Sequence, residues 1–311
     1  MSVRSPRTAR TPTPQSGIFA VGTGAQVYLE LDRVKGAGPG KLVAAVAGLR
    51  EPRTTMAGVN LVAGFRPELW RRLAPGGMPP GTVGFNHDLQ GAEGFVMPAT
   101  QHDTVLWFSG MSLDVVFDEA RSTLRALQST ASVAEEIVGW PYRQDRDLTG
   151  FIDGTENPTL PEAPAVALVP EGRAGAGGSV LLLQKWQHLA ARWEALPVSA
   201  QERVIGRTKS DSVELDPKPP DSHVRRTDQD AFGRIFRRNV AYGNVTNHGT
   251  VFVGFCASQP PLQRMLESMA GRRDGVRDSL TRFARPRTGA YYFTPSLEAL
   301  RQFGGPLGPP R

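Results

Sequence analysis

Cysteine is nearly absent from this 311-residue chain; Cys256 stands alone. That excludes a disulfide framework, a cysteine-rich zinc site, a CxxC redox pair and a CxxCH motif. Long apolar runs are missing too: none approaches the roughly 18 residues of a membrane span, so no membrane partner is expected. Lysine is scarce, with five residues, and arginine supplies the rest of the 36 basic side chains that outweigh 30 acidic ones. The resulting pI of 9.8 is compatible with anionic partners. The arginines fall in separate pairs, Arg71-Arg72, Arg225-Arg226, Arg237-Arg238 and Arg272-Arg273, rather than in one stripe, and no nucleic-acid partner is expected. Histidine pairs at metal-site spacing are also lacking. His87, His102, His188, His223 and His248 nowhere approximate HExxH, which argues against a histidine-rich metal centre.

The remaining composition, 40% hydrophobic and 21% charged, is that of a globular protein. The length suits one large domain or two fused halves. Residues 1–17, MSVRSPRTARTPTPQSG, carry three arginines, three prolines and no acid, and no apolar segment follows. They read as a disordered arm rather than a leader, and a cytoplasmic location is expected.

Residues 25–32 alternate Val27, Leu29 and Leu31 with Tyr28, Glu30 and Asp32, the period-two pattern of a strand with one buried face. A helix over 41–49, a strand over 58–65, a Gly/Pro-rich loop over 75–99 and a strand over 104–110 follow. A helix capped by Ser112 and a strand over 132–140 complete a βαββαβ order. The second half repeats the order with strands at 179–186, 234–240, 250–257 and 289–293. Its helices fall at 187–196, at 199–206 with a Ser199–Glu202 capping box, at 260–271 and at the end of the chain. The fold class expected is α+β: two ferredoxin-like βαββαβ halves with antiparallel sheets, as in the dimeric alpha+beta barrel superfamily. The halves span 18–156 and 179–311, with a linker over 157–178.

Three segments could carry chemistry. In Gly150-Phe151-Ile152-Asp153-Gly154-Thr155-Glu156-Asn157-Pro158, two glycines flank a carboxylate and allow close backbone approach to a flat ligand. By itself such a segment is more often simply a turn. In Asp221-Ser222-His223-Val224-Arg225-Arg226, a lone histidine is usually a hydrogen-bonded surface residue, although one imidazole suffices as an axial haem ligand. In Ile235-Phe236-Arg237-Arg238-Asn239, a strand would aim Arg237 and Asn239 to one face, able to stabilise anionic oxygen, and Arg238 to the other. By itself the segment reads better as an exposed, charged edge strand.

Together the segments resemble the dye-decolourising peroxidases, specifically the bacterial class B type. GFIDGTENP matches the family's GxxDG signature; His223 follows Asp153 by 70 residues, and Arg237 lies 14 further on. VIGRTK (204–209), SHVRRT, IFRRN and RDSLTRFARPRTGAYYFTPSLEAL (277–300) match the surrounding blocks. The correspondence is strong over 130–311 and looser before it.

The resemblance implies haem b held by the C-terminal half, with His223 as the ligand to iron and Asp153 and Arg237 as the pair on the other side. Asn239 falls where relatives carry Asn or Ser. Asp278 is the candidate partner for the imidazole N–H of His223, against a reading as a surface helix acid. Arg207 is the candidate for a haem propionate, against an ordinary salt bridge. The implied activity is reduction of hydrogen peroxide coupled to one-electron oxidation of bulky organic donors such as dyes and phenolics, with an acidic optimum. Other readings are haem handling or iron release with incidental peroxidase activity, and a colourless ferredoxin-like binding module. The family forms homo-oligomers. Some members carry a C-terminal peptide for loading into an encapsulin shell, to which the tail GGPLGPPR bears only a faint likeness.

Overall fold

Closing a set of antiparallel strands removes every unpaired sheet edge and gives each strand two covered faces. A computed structural model describes residues 12–49, 58–143 and 145–304. The strands are β1 (Ala25–Arg33), β2 (Asn60–Phe65), β3 (Leu89–Gln90), β4 (Val96–Met97), β5 (Thr104–Gly110), β6 (Ala131–Trp140), β7 (Ser179–His188), β8 (Phe236–Arg237), β9 (Val240–Gly243), β10 (His248–Cys256), β11 (Ala284–Pro286) and β12 (Ala290–Thr294). The helices are α1 (Pro39–Ala47), α2 (Pro67–Leu73), α3 (Leu113–Leu127), α4 (Ala163–Ala167), α5 (Ala190–Glu194), α6 (Val198–Ile205), α7 (His223–Arg226), α8 (Gln229–Phe232), α9 (Gln259–Met269) and α10 (Leu297–Arg301).

The fold is mixed α/β with antiparallel sheets. In the N-terminal half the strands lie in the order β2-β5-β1-β6, and in the C-terminal half in the order β12-β7-β10-β9. The two halves join through β2–β12 and β6–β9, so they share one closed barrel instead of forming separate sheets. At the β6–β9 seam a Cβ on Gly139 would lie 2.7 Å from Val240 Cγ2.

Closure explains the first departure from the sequence expectation. β1 is buried on both faces: Leu29 and Leu31 pack outward beneath helices, while Tyr28 and Glu30 turn into the barrel. Tyr28 stacks on Trp107 there, and Trp107 on Phe255. Outside, α3 lays Val116, Ala120, Thr123 and Leu127 over β1 and β5. Each fully buried aliphatic side chain contributes roughly 1.5–3 kcal/mol. Glu30 Oε1 accepts from Tyr292 Oη at 2.6 Å, and its Oε2 is buried without a partner among the described residues.

Other expectations need correction. Residues 12–17 belong to the packed domain: Gln15 is buried, donating to Ala63 O and Pro295 O, and Thr13 bonds Glu298. Residues 1–11 of the expected arm lie outside the described residues. The 157–178 segment contains α4, whose Ala163 and Ala167 are fully buried against the barrel. β7 continues to His188, displacing the helix expected at 187–196 to 190–194. The Ser199–Glu202 capping box does not form. Pro197 is the cap of α6, and Glu202 instead accepts the Lys209 amide at 2.9 Å. Ser112 does precede α3, but its hydroxyl bonds Asp114 rather than the helix backbone.

Candidate active site

In the C-terminal half, alternate residues of β7 and β10 face away from the barrel interior, toward α7, α9 and the loops that follow. Between strands and helices lies a solvent-open cavity, with about 1320 Å³ of empty space when the open solvent at its mouth is included. Leu262, Met265, Leu266 and Met269 of α9 and Leu182, Trp186 and Phe252 of the barrel give it apolar walls.

His223 enters from the helix side. A turn in which Ser222 donates to Pro219 O sets it as the first residue of α7. Its Nδ1 lies 2.7 Å from Asp278 Oδ2, and the Asp278 side chain is fully buried. The other oxygen of Asp278 accepts the Leu280 amide at 2.8 Å, capping the 3-10 turn Ser279–Arg282. Asp278 is therefore a held partner of the imidazole, not a surface acid. Burial works against a charged His223 ring, but the Asp278 charge and hydrogen bond outweigh it and raise the pKa above the ordinary histidine value. With Nδ1 engaged, Nε2 is the ring nitrogen left for a ligand; among the described residues no group of three or more His, Cys, Asp or Glu could share a metal with it.

The barrel side carries the other three candidates. Residues 145–154 form a hairpin in which Asp147 N donates to Phe151 O and Asp153 N to Asp145 O. Gly150 and Gly154 sit at φ +87° and +76°, a region glycine enters without strain. Asp153 Oδ1 accepts the Gly154 amide at 2.7 Å, and Oδ2 accepts Asn239 Nδ2 at 3.0 Å. Arg237 Nη2 stands 3.8 Å from Asp153 Oδ1, and its Nε is buried without a partner among the described residues.

The single strand expected over 234–240 is broken between β8 and β9. At the break Asn239 Oδ1 accepts the Val253 amide at 3.1 Å, a side chain standing in for backbone in the ladder. Arg237 and Asn239 both line the cavity, while Arg238 lies over the rings of Trp107 and Phe236.

Arg207 also lines the cavity, yet its guanidinium is engaged by Glu156 at 2.6 Å, Glu214 at 2.7 Å and the Thr155 hydroxyl. Its Nε is buried and has no partner among the described residues.

Two features were missed in the sequence. Asn157 clamps Arg237 by accepting from its N–H and donating to its C=O, both at 2.9 Å. Asp147, Thr250 and His188 form a second polar cluster on the cavity wall: Thr250 donates to Asp147 Oδ2, and its Oγ1 lies 3.0 Å from His188 Nε2. No local spacing signals either feature, since their members come from loop and strand segments far apart in the chain.

The Dyp-type peroxidase C-terminal family matches residues 144–299. A dye-decolorizing peroxidase of Mycobacterium tuberculosis is 34% identical over 311 residues, covering 95% of this chain and 90% of that protein. The encapsulated DyP-type peroxidase from Mycobacterium smegmatis superimposes with a TM-score of 0.80 at 30% identity, over 96% of this chain and 100% of that one. A Rhodococcus jostii RHA1 DypB variant in complex with heme gives a TM-score of 0.80 at 30% identity, over 95% and 98%. A deferrochelatase of Yersinia pestis matches less, at 27% identity over 48% of this chain and 41% of its own length. Signature, fold and whole-length similarity agree, and the chain belongs to the dye-decolorizing peroxidase family.

Proposed function

We propose that this chain is a haem b peroxidase that reduces hydrogen peroxide and oxidises bulky organic donors, dyes and phenolics among them, in one-electron steps. The observation that carries the reading is His223, with Nδ1 held by a buried carboxylate and Nε2 free beside a cavity that also holds Arg237, Asp153 and Asn239. The residues present fit the group. One imidazole serves as the protein ligand, apolar walls suit a flat macrocycle, and the buried, unpartnered Nε of Arg237 is a donor awaiting an acceptor. Haem, when bound, supplies the iron at which the peroxide O–O bond is broken and the oxidising equivalents are held.

His223 is the metal ligand, and Asp278 makes it a more basic one. The Asp153 carboxylate, aimed by the Gly154 amide and Asn239, is placed to take a proton from the inner oxygen of peroxide and return it to the outer one. The Arg237 guanidinium offsets the negative charge that develops as the bond breaks. Arg207 shares its charge with two carboxylates, which favours its salt-bridge role and leaves Nε as the donor for a propionate.

The strand orders of the two halves support reading each as a ferredoxin-like βαββαβ unit. Exposed Met111, Leu113 and Phe117, at the start of α3, support a homo-oligomer. None of the described helices is long and apolar enough to cross a membrane, and the cytoplasm remains the expected location. The encapsulated relative supports an encapsulin partner, although the tail that would dock, residues 305–311, lies outside the described residues.

The test is an absorption spectrum of the haem-reconstituted protein, before and after one equivalent of peroxide, beside His223→Ala. A ferric haem spectrum that peroxide converts and organic donors restore, lost or altered in the variant, is expected. Stable haem with no reaction to peroxide would transfer the assignment to haem handling, and a protein that refuses haem would overturn both.

A further inference from the structure

The cavity holds a second titratable group that the peroxide chemistry leaves unused. His188 is the last residue of β7, on the same strand face as Leu182 and Trp186, and lines the same cavity as His223. Its Nε2 meets Thr250 Oγ1 at 3.0 Å, and the Thr250 hydroxyl proton is committed to Asp147 Oδ2. Asp147 is in turn fixed by the Thr149 amide on Oδ1 at 2.8 Å.

A hydroxyl has one proton. With that proton on Asp147, Thr250 can only accept from the imidazole, so the proton of neutral His188 resides on Nε2. Nδ1 is then a free lone pair with no partner among the described residues.

Two titratable groups act on the ring, Asp147 from the hairpin and His248 from β10, whose ring stands edge-on at 6.4 Å. Burial holds His188 below the ordinary histidine range, against the pull of Asp147. Burial also pushes the Asp147 carboxyl up, but His188, Thr250 and Thr149 outweigh it and leave it low. Burial, with His248, keeps the imidazole neutral, and the hydrogen bonds from Thr250 and Thr149 keep the carboxylate beside it ionised.

We propose that His188 is a further catalytic residue: the base that takes the hydroxyl proton of a phenolic reducing substrate as the substrate gives up its electron. The inference rests on the cavity being the peroxidase site. An un-ionised phenol that loses an electron without its proton passes through a strongly acidic radical cation; removing the proton in the same step avoids that species. The O–H bond breaks, the electron goes to the peroxide-oxidised centre, the proton goes to His188 Nδ1, and a neutral phenoxyl radical leaves. The imidazolium is stabilised through Thr250 by Asp147 until it returns the proton to water. Two such steps supply the two electrons that one peroxide consumes.

The experiment compares kcat/KM for a simple phenol and for the azine dye ABTS, which has no hydroxyl proton to lose, in the wild-type holoenzyme, His188→Gln and Thr250→Val. The phenol-to-ABTS ratio is expected to fall on the order of 10²-fold in His188→Gln and by a smaller factor in Thr250→Val. The ratio for an electron-poor phenol already ionised at the assay pH should hold. A parallel fall for phenol and ABTS, or no fall, would overturn the proposal.

A second readout does not depend on turnover. In full-length protein with 15N-labelled histidine and ferrous, carbonylated haem, the wild-type His188 should resonate as the neutral Nε2–H tautomer. An Nδ1–H tautomer or a protonated ring at neutral pH would overturn the proposal. Failure of the underlying peroxidase reading appears separately, as a His223→Ala variant that keeps an unchanged haem spectrum.

Discussion

Asp278 and His223 are 55 residues apart in the chain and 2.7 Å apart in the fold, with the carboxylate fully buried and its second oxygen spent on the Leu280 amide. The imidazole is consequently fixed in both orientation and tautomer. Asp278→Asn preserves the shape and removes the charge. It is expected to make His223 a weaker donor, raise the ferric/ferrous potential and lower turnover by roughly 10–100-fold. Spectroelectrochemistry of the variant checks this; an unchanged potential would reduce Asp278 to a cap for the turn that follows it.

Arg237 and Asp153 are separable by their chemistry. Removing a preorganised cation from a developing charge costs about 10²–10³ in rate, so Arg237→Leu should slow the reaction with peroxide by that factor. Asp153→Ala removes the proposed proton carrier, with an expected loss of roughly 10²–10⁴ if no water replaces it. Stopped-flow spectra of the first turnover measure both without donor chemistry. Activity that climbs steadily to pH 9, instead of favouring the acid side, would remove Asp153 from the proton path.

Asn239 serves two structures at once, its Oδ1 completing the ladder at Val253 and its Nδ2 holding Asp153. Asn239→Ala strands a backbone amide and frees the carboxylate. A stability loss of about 1–3 kcal/mol is expected along with slower peroxide reduction, read by thermal unfolding and stopped flow on one preparation. Intact stability with lost activity would confine Asn239 to aiming Asp153.

Far from the cavity, Glu30 makes stability depend on pH. Burial pushes its carboxyl up to about 7, opposed by the Tyr292 hydrogen bond, His102 and Lys185 and reinforced by Glu135. A folded pKa raised above the unfolded value of 4.5 favours folding below the unfolded value, and that contribution is lost as pH rises through about 7. The swing is about 3 kcal/mol. Calorimetric melting of Glu30→Gln between pH 4 and 8 should show a flatter pH dependence than wild type; parallel curves would place the ionisation elsewhere.

His223, Asp153 and Arg237 were legible as candidates because each sits inside a run whose residue order is distinctive, and the approximate positions of most long strands followed from hydrophobic periodicity, whereas their order in the barrel did not. Asp278 was legible only as a candidate, since nothing in RDSLTRF indicates which side chain it meets. The second buried face of β1 could not be read from alternation alone. Glu30 and Asp32 look like solvent-facing residues until barrel closure turns Glu30 inward. The Ser199–Glu202 spacing misled because the preceding Pro197 takes the cap position and Lys209 claims the glutamate. Asn157 and the Asp147–Thr250–His188 cluster had no linear signature, being assembled by the hairpin against two strands.

The seam at Gly139 and Val240 has a bearing on how this protein can be cut or evolved. Each half supplies four barrel strands and relies on the other for both of its flanks. Expressed alone, residues 12–156 would bare β2 and β6 as two raw edges, together with the barrel-facing side chains of Tyr28, Trp107 and Glu30. Such a fragment has a template for recruiting a second copy of itself at each side. A split version of this enzyme should therefore recover activity by strand exchange between fragments rather than by docking of two finished domains.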